Sequence, residues 1–114
     1  TDDFKEFLHE LEENEKKIFT NEEKIFLYRI FQEVINNSLK HSKAKEIVVH
    51  LITNPKFEMQ ISDNGKGFDI EENKNISSMG LNSIVSRAEM IGYSAKIISK
   101  NGSGTKIIIK EKEN

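Results

Sequence analysis

The stretch from Phe57 to Gly67 constrains the fold more than any other part of the chain. Apolar and polar residues alternate in FEMQIS, as in a half-buried β-strand, and the run then enters DNGKG. Met59, Ile61 and Asp63 share one side of that strand, so the sequence predicts a partly buried carboxylate. A buried carboxylate needs hydrogen-bond donors, and an exocyclic amine of a ligand would serve as one.

Two glycines stand two positions apart directly after this strand, in a chain that has six glycines in all. Gly65 and Gly67 allow the backbone to approach a ligand where a Cβ atom would collide, and they permit dihedral angles that are closed to other residues. A hairpin exit needs one such glycine, not two. Taken alone, however, DNGKG is also explained as a plain turn.

Two helices are predicted from apolar spacing and capping signals. Thr20 and Glu23 form a capping box ahead of a strongly periodic segment, so a helix is expected to reach about His41. The segment that starts near Gly80 and stops around Gly92 predicts a second one. A short amphipathic helix that ends near residue 14 is also expected in the polar lead-in, residues 1–17.

The strands are predicted as two hairpins. EIVVHLI and FEMQIS, joined by TNPK, predict a hairpin over residues 46–62. AKIISK and TKIIIK flank NGSG and predict a second one. Two helices with four or five strands give a two-layer α/β (α+β) sandwich whose strand pairs are mostly antiparallel.

Composition limits the class of protein. The 114 residues suffice for one domain, and a net charge of -2 gives no basic field that would indicate a nucleic-acid partner. Because cysteine is absent, the sequence predicts neither disulfides nor thiolate metal ligands. No apolar run approaches the roughly 20 residues of a membrane span. A cytoplasmic domain is expected, with membrane anchoring of a parent protein left open.

Polar residues along the first helix form a candidate site. Glu33, Asn37 and Lys40 lie within about 60° of one another on a helical projection. Taken by themselves, these three residues are better explained as a solvated helix edge. Gly80 begins the second helix, where free N–H groups suit a phosphate, although a plain cap also accounts for it. GSGT at 102–105 is by default a hairpin turn.

Four motifs in chain order resemble the asparagine box and the three glycine boxes of the catalytic, ATP-binding domain of bacterial sensor histidine kinases: FQEVINNSLKHSKA, DNGKGFD, MGLNSIVSRAEMIG and GSGTKIII. That domain has the Bergerat fold of the GHKL superfamily, which includes gyrase-type ATPases. The resemblance covers about residues 24–110. The short lid before MGL is similar to that of the nitrate- and lipid-sensing kinases. The implied fold is a mixed, mostly antiparallel sheet covered on one face by helices.

The resemblance implies a role for each matched residue. Glu33 would orient or deprotonate the attacking group, and Asn37 would ligate Mg²⁺ through its side-chain oxygen. Asp63 would accept the adenine amino group, where guanine would instead present a carbonyl. The positions that would face the phosphates are Lys40, His41, Gly80, Leu81 and Asn82. The positions that would face the base and ribose are Gly65, Gly67, Gly104 and Thr105.

The resemblance also implies ATP and Mg²⁺ as cofactors, with two protein partners. The γ-phosphoryl group would pass to a histidine on a separate dimerisation domain and then to a response regulator. His9 is not expected to be that acceptor, because too few residues separate it from Glu33 to hold such a domain. Residues 1–20 are predicted to be a linker or the tail of the dimerisation helix, and residues 21–114 the catalytic domain. The isolated domain is expected to be monomeric, and the parent kinase a homodimer.

Two positions depart from the family pattern. Ser78 stands two residues before Gly80, and Tyr93 follows Gly92, where the family commonly has glycines. Neither departure removes a group that would bind a ligand. The lid at 70–79 has few large apolar side chains, so it is expected to be mobile without nucleotide.

Two alternatives to a histidine kinase remain. A serine kinase of the anti-sigma type belongs to the same superfamily and would yield an acid-stable phosphoprotein. The other is a non-catalytic, ATP-dependent interaction module. The presence of both Glu33 and Asn37 argues against the latter.

Overall fold

Within the part of the chain that it describes, the computed structural model has two helices with defined bounds and four strands. It describes residues 6, 9, 12–13, 19–40, 43–53, 56–67 and 80–112. In chain order the elements are α1 (Asn21–Lys40), β1 (Ile47–Ile52), β2 (Glu58–Asp63), α2 (Leu81–Met90), β3 (Tyr93–Ser99) and β4 (Thr105–Glu111).

The four strands form one sheet in the order β1-β2-β4-β3. Each neighbouring pair among these strands is antiparallel, which agrees with the mostly antiparallel pairing that was predicted. The pattern arises because the strands come as two hairpins, β1–β2 and β3–β4, whose inner strands then pair. In this register Asp63 lies opposite Ile47 on one side and Thr105 on the other.

The core lies between the sheet and the two helices, so the predicted two-layer α+β fold is confirmed. Its buried side chains from the helices are Leu27, Ile30, Val34, Leu81, Ile84 and Ala88. Those from the inner strands are Met59, Ile61, Ile107 and Ile109. Because side chains alternate between the two faces of β2, Met59 and Ile61 both face the helices. On the other face, Val48 and Ile98 are exposed.

The start of α1 has the predicted capping box. The Thr20 N–H donates to Oε1 of Glu23, and the Glu23 N–H donates to Oγ1 of Thr20, each at 3.0 Å. Such caps stabilise a helix by about 1 kcal/mol. The helix ends at Lys40, and Lys43 then adopts a left-handed conformation with φ 51°.

An aromatic cluster closes the end of the core near the start of α1. Phe57 makes edge-to-face contacts with Phe19 and Tyr93, at ring-centroid distances of 5.1 and 6.3 Å. The Tyr93 hydroxyl donates to Oε2 of Glu23 at 2.8 Å and lies 3.5 Å from Oε1 of Glu111. Burial first, and then these carboxylates, raise the pKa of Tyr93. Tyr93, which stands where the family pattern commonly has a glycine, is therefore a buried core residue at the start of β3.

The lead-in falls largely outside the described residues, but part of it is tied to α1. Residues 6, 9, 12 and 13 are helical. Glu12 accepts a hydrogen bond from the Phe19 N–H at 3.4 Å and pairs with Lys24 at 2.9 Å. These contacts connect Glu12 to Phe19 and to Lys24 in the first turns of α1.

Candidate functional site

The site begins with the Asp63 carboxylate at the end of β2. Its Oδ2 accepts a hydrogen bond from the Ser38 hydroxyl at 2.8 Å. Its Oδ1 accepts from the N–H groups of Gly65, at 2.9 Å, and Thr105, at 3.3 Å. Two carboxylate oxygens offer about four acceptor positions, so the carboxylate retains capacity for a donor from a ligand.

The last turn of α1 carries an amide one residue before the serine that bonds this acid. Ser38 is 3% exposed, and its bond to Asp63 joins α1 to the end of β2. The preceding residue, Asn37, has a buried Nδ2 atom with no hydrogen-bond partner among the residues that the structure describes. Buried polar groups normally have partners, so this carboxamide is suited to a polar ligand.

One turn before Asn37, the Glu33 carboxylate contacts the second helix. Its Oε2 forms an ion pair with Nη1 of Arg87 at 2.5 Å. A Cβ atom on Gly80, which has φ 69° at the N-terminus of α2, would collide with Oε1 of Glu33. The amide of Asn37 and the carboxylate of Glu33 are therefore successive polar groups along α1, and the carboxylate faces α2.

Two glycine-containing turns form the adjoining edge of the site. Gly67 has φ 65°, and a Cβ there would collide with the carbonyl oxygen of Lys100. Gly104 has φ 79°, and a Cβ there would collide with the carbonyl oxygen of Asp63. The Gly102 N–H also donates to the Lys66 carbonyl at 2.5 Å. The two turns thus lie backbone against backbone.

Residues 22–113 match the model of a protein family described as "Histidine kinase-, DNA gyrase B-, and HSP90-like ATPase". The chain belongs to this family. The family prediction is thereby confirmed, while the nitrate- and lipid-sensing subfamily stays a prediction.

Relatives of this ATPase domain are named as histidine kinases or as sensor proteins. The chain is 46% identical over 85 residues to the sensor histidine kinase LiaS of Bacillus subtilis, an alignment that covers 74% of the chain and 23% of LiaS. It is 42% identical over 89 residues to the histidine-protein kinase/phosphatase DegS of the same species, with 75% and 23% covered. The sensor protein VraS of Staphylococcus aureus is 41% identical over 85 residues, with 74% and 24% covered. The chain thus spans about a quarter of the length of these relatives.

Solved structures share the fold of this ATPase domain. The ATP-binding domain of PrrB from Mycobacterium tuberculosis superposes with a TM-score of 0.66 at 20% identity, covering 79% of this chain and 68% of that one. The blue-light-activated histidine kinase EL346 of Erythrobacter litoralis gives 0.58 at 21% identity, covering 75% and 29%. Within the described ranges, no helix is both long and apolar enough to cross a membrane.

The remaining predicted residues of the ATPase domain differ in position. Lys40 is exposed at the end of α1, and Asn82 is exposed in the first turn of α2. The Leu81 side chain is buried in the core, so only its backbone is available to a ligand. The Thr105 hydroxyl, which was expected to reach the base, lies 2.8 Å from the Ser99 hydroxyl. His41 and the lid at 70–79, with Ser78, fall outside the described residues.

Sequence reasoning missed Ser38, Arg87 and Ser99. Ser38 continues the buried stripe of α1 four residues after Val34, so a hydroxyl at a core position was the signal that could have revealed it. Arg87 lies seven residues after Gly80, two helical turns along the same face of α2. Ser99 had no local signal, because only the strand register pairs it with Thr105.

Proposed function

We propose that this ATPase domain is the catalytic domain of a two-component sensor histidine kinase. The observation that carries the proposal is the Ser38–Asp63 hydrogen bond, which joins an acceptor for a base to the end of α1 that carries Asn37. The buried Nδ2 of Asn37 has no partner among the described residues. The names of the relatives support the same activity. Residues 21–114 would form the catalytic domain, and residues 1–20 the tail of a dimerisation helix or a linker.

ATP would bind with its adenine amino group donating to Asp63. The N–H donors on Oδ1 and the hydroxyl on Oδ2 fix the carboxylate as an acceptor. A guanine carbonyl at the same place would set two acceptors against each other, which costs roughly 1–3 kcal/mol. The base and ribose would lie along the edge formed by the turns at 65–67 and 102–105.

Mg²⁺ fits the amide oxygen that Asn37 supplies on α1. The described residues contain no group of three or more histidine, aspartate or glutamate side chains that could hold a metal by themselves. A single amide oxygen from Asn37 is typical of an Mg²⁺ that takes its other ligands from water and phosphates. When bound, the ion would neutralise charge on the phosphates during transfer. Lys40 and His41, with the backbone of residues 80–82, would contact the phosphates from the protein side.

The transfer step needs a nucleophile from outside this domain. A ring nitrogen of a histidine on a dimerisation domain would form a bond to the γ-phosphorus, while the bond from that phosphorus to the β,γ-bridging oxygen breaks. The electron pair of the broken bond leaves with ADP. Glu33 would orient the imidazole or accept the proton from its other nitrogen. The phosphoryl group would then pass to an aspartate of a response regulator.

Calorimetric titration with ATP and GTP, with and without Mg²⁺, tests the nucleotide site. We expect ATP to bind more tightly than GTP, and Mg²⁺ to strengthen binding. Addition of a histidine-containing dimerisation domain from one of the sensor kinase relatives then tests transfer. Acid-labile phosphoprotein supports a histidine kinase, acid-stable phosphoprotein supports the serine-kinase alternative, and binding without transfer supports the interaction module. Absence of ATP binding would refute all three.

A further inference from the structure

The ion pair between Glu33 and Arg87 joins the two helices that flank the proposed nucleotide site. The two side chains are 28% and 33% exposed, and the N–O distance is 2.5 Å. Ion pairs with this degree of exposure contribute about 0–1 kcal/mol to the free energy of folding. Stability alone is therefore a weak reason for an arginine at position 87.

The same carboxylate lies close to α2 with both oxygens. Arg87 pairs with Oε2, and a Cβ atom on Gly80 would collide with Oε1. The guanidinium and the glycine lie seven residues apart, about two turns along one face of the helix. The ion pair on Oε2 and the close approach of Oε1 to Gly80 therefore restrict the rotation of the carboxylate.

We infer that Arg87 is a positioning residue, which holds the Glu33 carboxylate in the orientation needed at the attacking histidine. This inference rests on the proposed function. It assigns Arg87 no contact with ATP, and it makes α2 a support for the proposed base as well as a phosphate-facing helix. Because misplacing a reacting group by about 1 Å can cost about 10²-fold in rate, loss of this support should affect transfer far more than nucleotide affinity.

The test compares Arg87→Met with Arg87→Lys and with a matched control, Lys112→Met. Lys112 forms an ion pair at 2.6 Å with Glu89, which is also in the last turn of α2 but pairs with the segment after β4 and not with α1. Each variant is measured for Mg-ATP affinity by calorimetry, and for the rate of phosphoryl transfer to the dimerisation domain at saturating ATP. Circular dichroism and thermal unfolding report whether the fold is retained.

We expect Arg87→Met to reduce the transfer rate by roughly tenfold to a hundredfold, with Mg-ATP affinity within about twofold of wild type. Arg87→Lys should recover part of the rate, and added guanidinium should partly restore an Arg87→Ala variant. Lys112→Met should transfer at the wild-type rate. If Arg87→Met does not fold, the Arg87→Lys variant decides the question. A wild-type rate of transfer in Arg87→Lys would then overturn the inference.

A double mutant separates positioning from direct phosphate binding. If Arg87 acts only through Glu33, adding Arg87→Met to Glu33→Gln should cause no further loss of rate. The inference would be overturned if the rate losses of the two single variants multiplied in the double variant. A fall in Mg-ATP affinity that accounts for the whole loss of rate would also overturn it. Failure of the wild-type chain to bind ATP or to transfer would instead refute the proposed function, so the two failures are distinguishable.

Discussion

The Ser38 hydroxyl donates a 2.8 Å hydrogen bond to Oδ2 of Asp63, and this bond connects the amide-bearing end of α1 to the acid at the end of β2. Ser38→Ala should therefore loosen the carboxylate and lower the free energy of unfolding by about 1 kcal/mol. ATP affinity should fall severalfold by calorimetry. Ser86→Ala removes an exposed hydroxyl from α2 and serves as the control. Equal behaviour of the two variants would contradict a role for the bond.

Asp63→Asn should abolish selective adenine recognition while preserving the fold. The new side chain can still accept from the Gly65 and Thr105 N–H groups, and the Ser38 hydroxyl can rotate to accept from its amide nitrogen. A ligand amine would then face a donor. We expect ATP affinity to drop by roughly tenfold or more, and the preference for ATP over GTP to narrow. Wild-type affinity in calorimetry would reject the assignment.

Glu33→Gln should separate binding from chemistry. The amide retains the shape of the side chain but cannot accept a proton, so ATP affinity should stay near wild type. The rate of transfer to the dimerisation domain should fall by roughly 10²–10⁴-fold, the usual contribution of a general base. Binding is followed by calorimetry and transfer by quenched-flow assay. Unchanged transfer would refute the assigned role.

Two glycines of one turn provide an internal comparison. Gly102 and Gly104 have φ 84° and 79°, but a Cβ on Gly102 meets open space, whereas one on Gly104 would collide with the carbonyl oxygen of Asp63. Alanine at either position should cost about 1–2 kcal/mol in backbone strain. Gly104→Ala should cost clearly more and should also weaken ATP binding. Chemical denaturation of both variants checks this, and equal losses would contradict it.

Tyr93→Phe tests the buried hydroxyl. Loss of its bond to Glu23 should lower the free energy of unfolding by about 1–2 kcal/mol at neutral pH. Because folding raises the pKa of Tyr93, the stability that its protonated form provides is complete below the unfolded-state pKa of about 10 and is lost as pH rises above it. The gap between wild type and variant should therefore narrow above about pH 10 in denaturation experiments. A constant gap would contradict the raised pKa.

Local signals in the sequence predicted much of this architecture. The alternation through Met59 and Ile61 correctly predicted which side of β2 Asp63 shares, and the pairing of Thr20 with Glu23 correctly predicted the start of α1. These predictions succeed because strand alternation and helix capping depend on residues a few positions apart. The family was predicted from four motifs in order, and the match over residues 22–113 confirms it.

Long-range contacts were not predictable in the same way. Nothing near Glu33 in the sequence indicates Arg87, which lies 54 residues further along. The direction of the Thr105 hydroxyl toward Ser99 depends on the register between β3 and β4. The glycine at position 67 was explained by ligand approach, but its missing Cβ faces the Lys100 carbonyl. Such details follow only once distant segments are brought together.

The register between β2 and β4 has a consequence for how this domain can change over evolution. Because Asp63 pairs with Thr105, a slip of one residue would set the acid opposite Lys106, whose side chain leaves the sheet on the other face. The carboxylate would lose the hydrogen bond from the Thr105 N–H, and the side chains of the slipped strand would exchange faces. Insertions and deletions of single residues inside either strand should consequently be rarer among natural variants than length changes in the connection between β1 and β2, which lies outside this pairing.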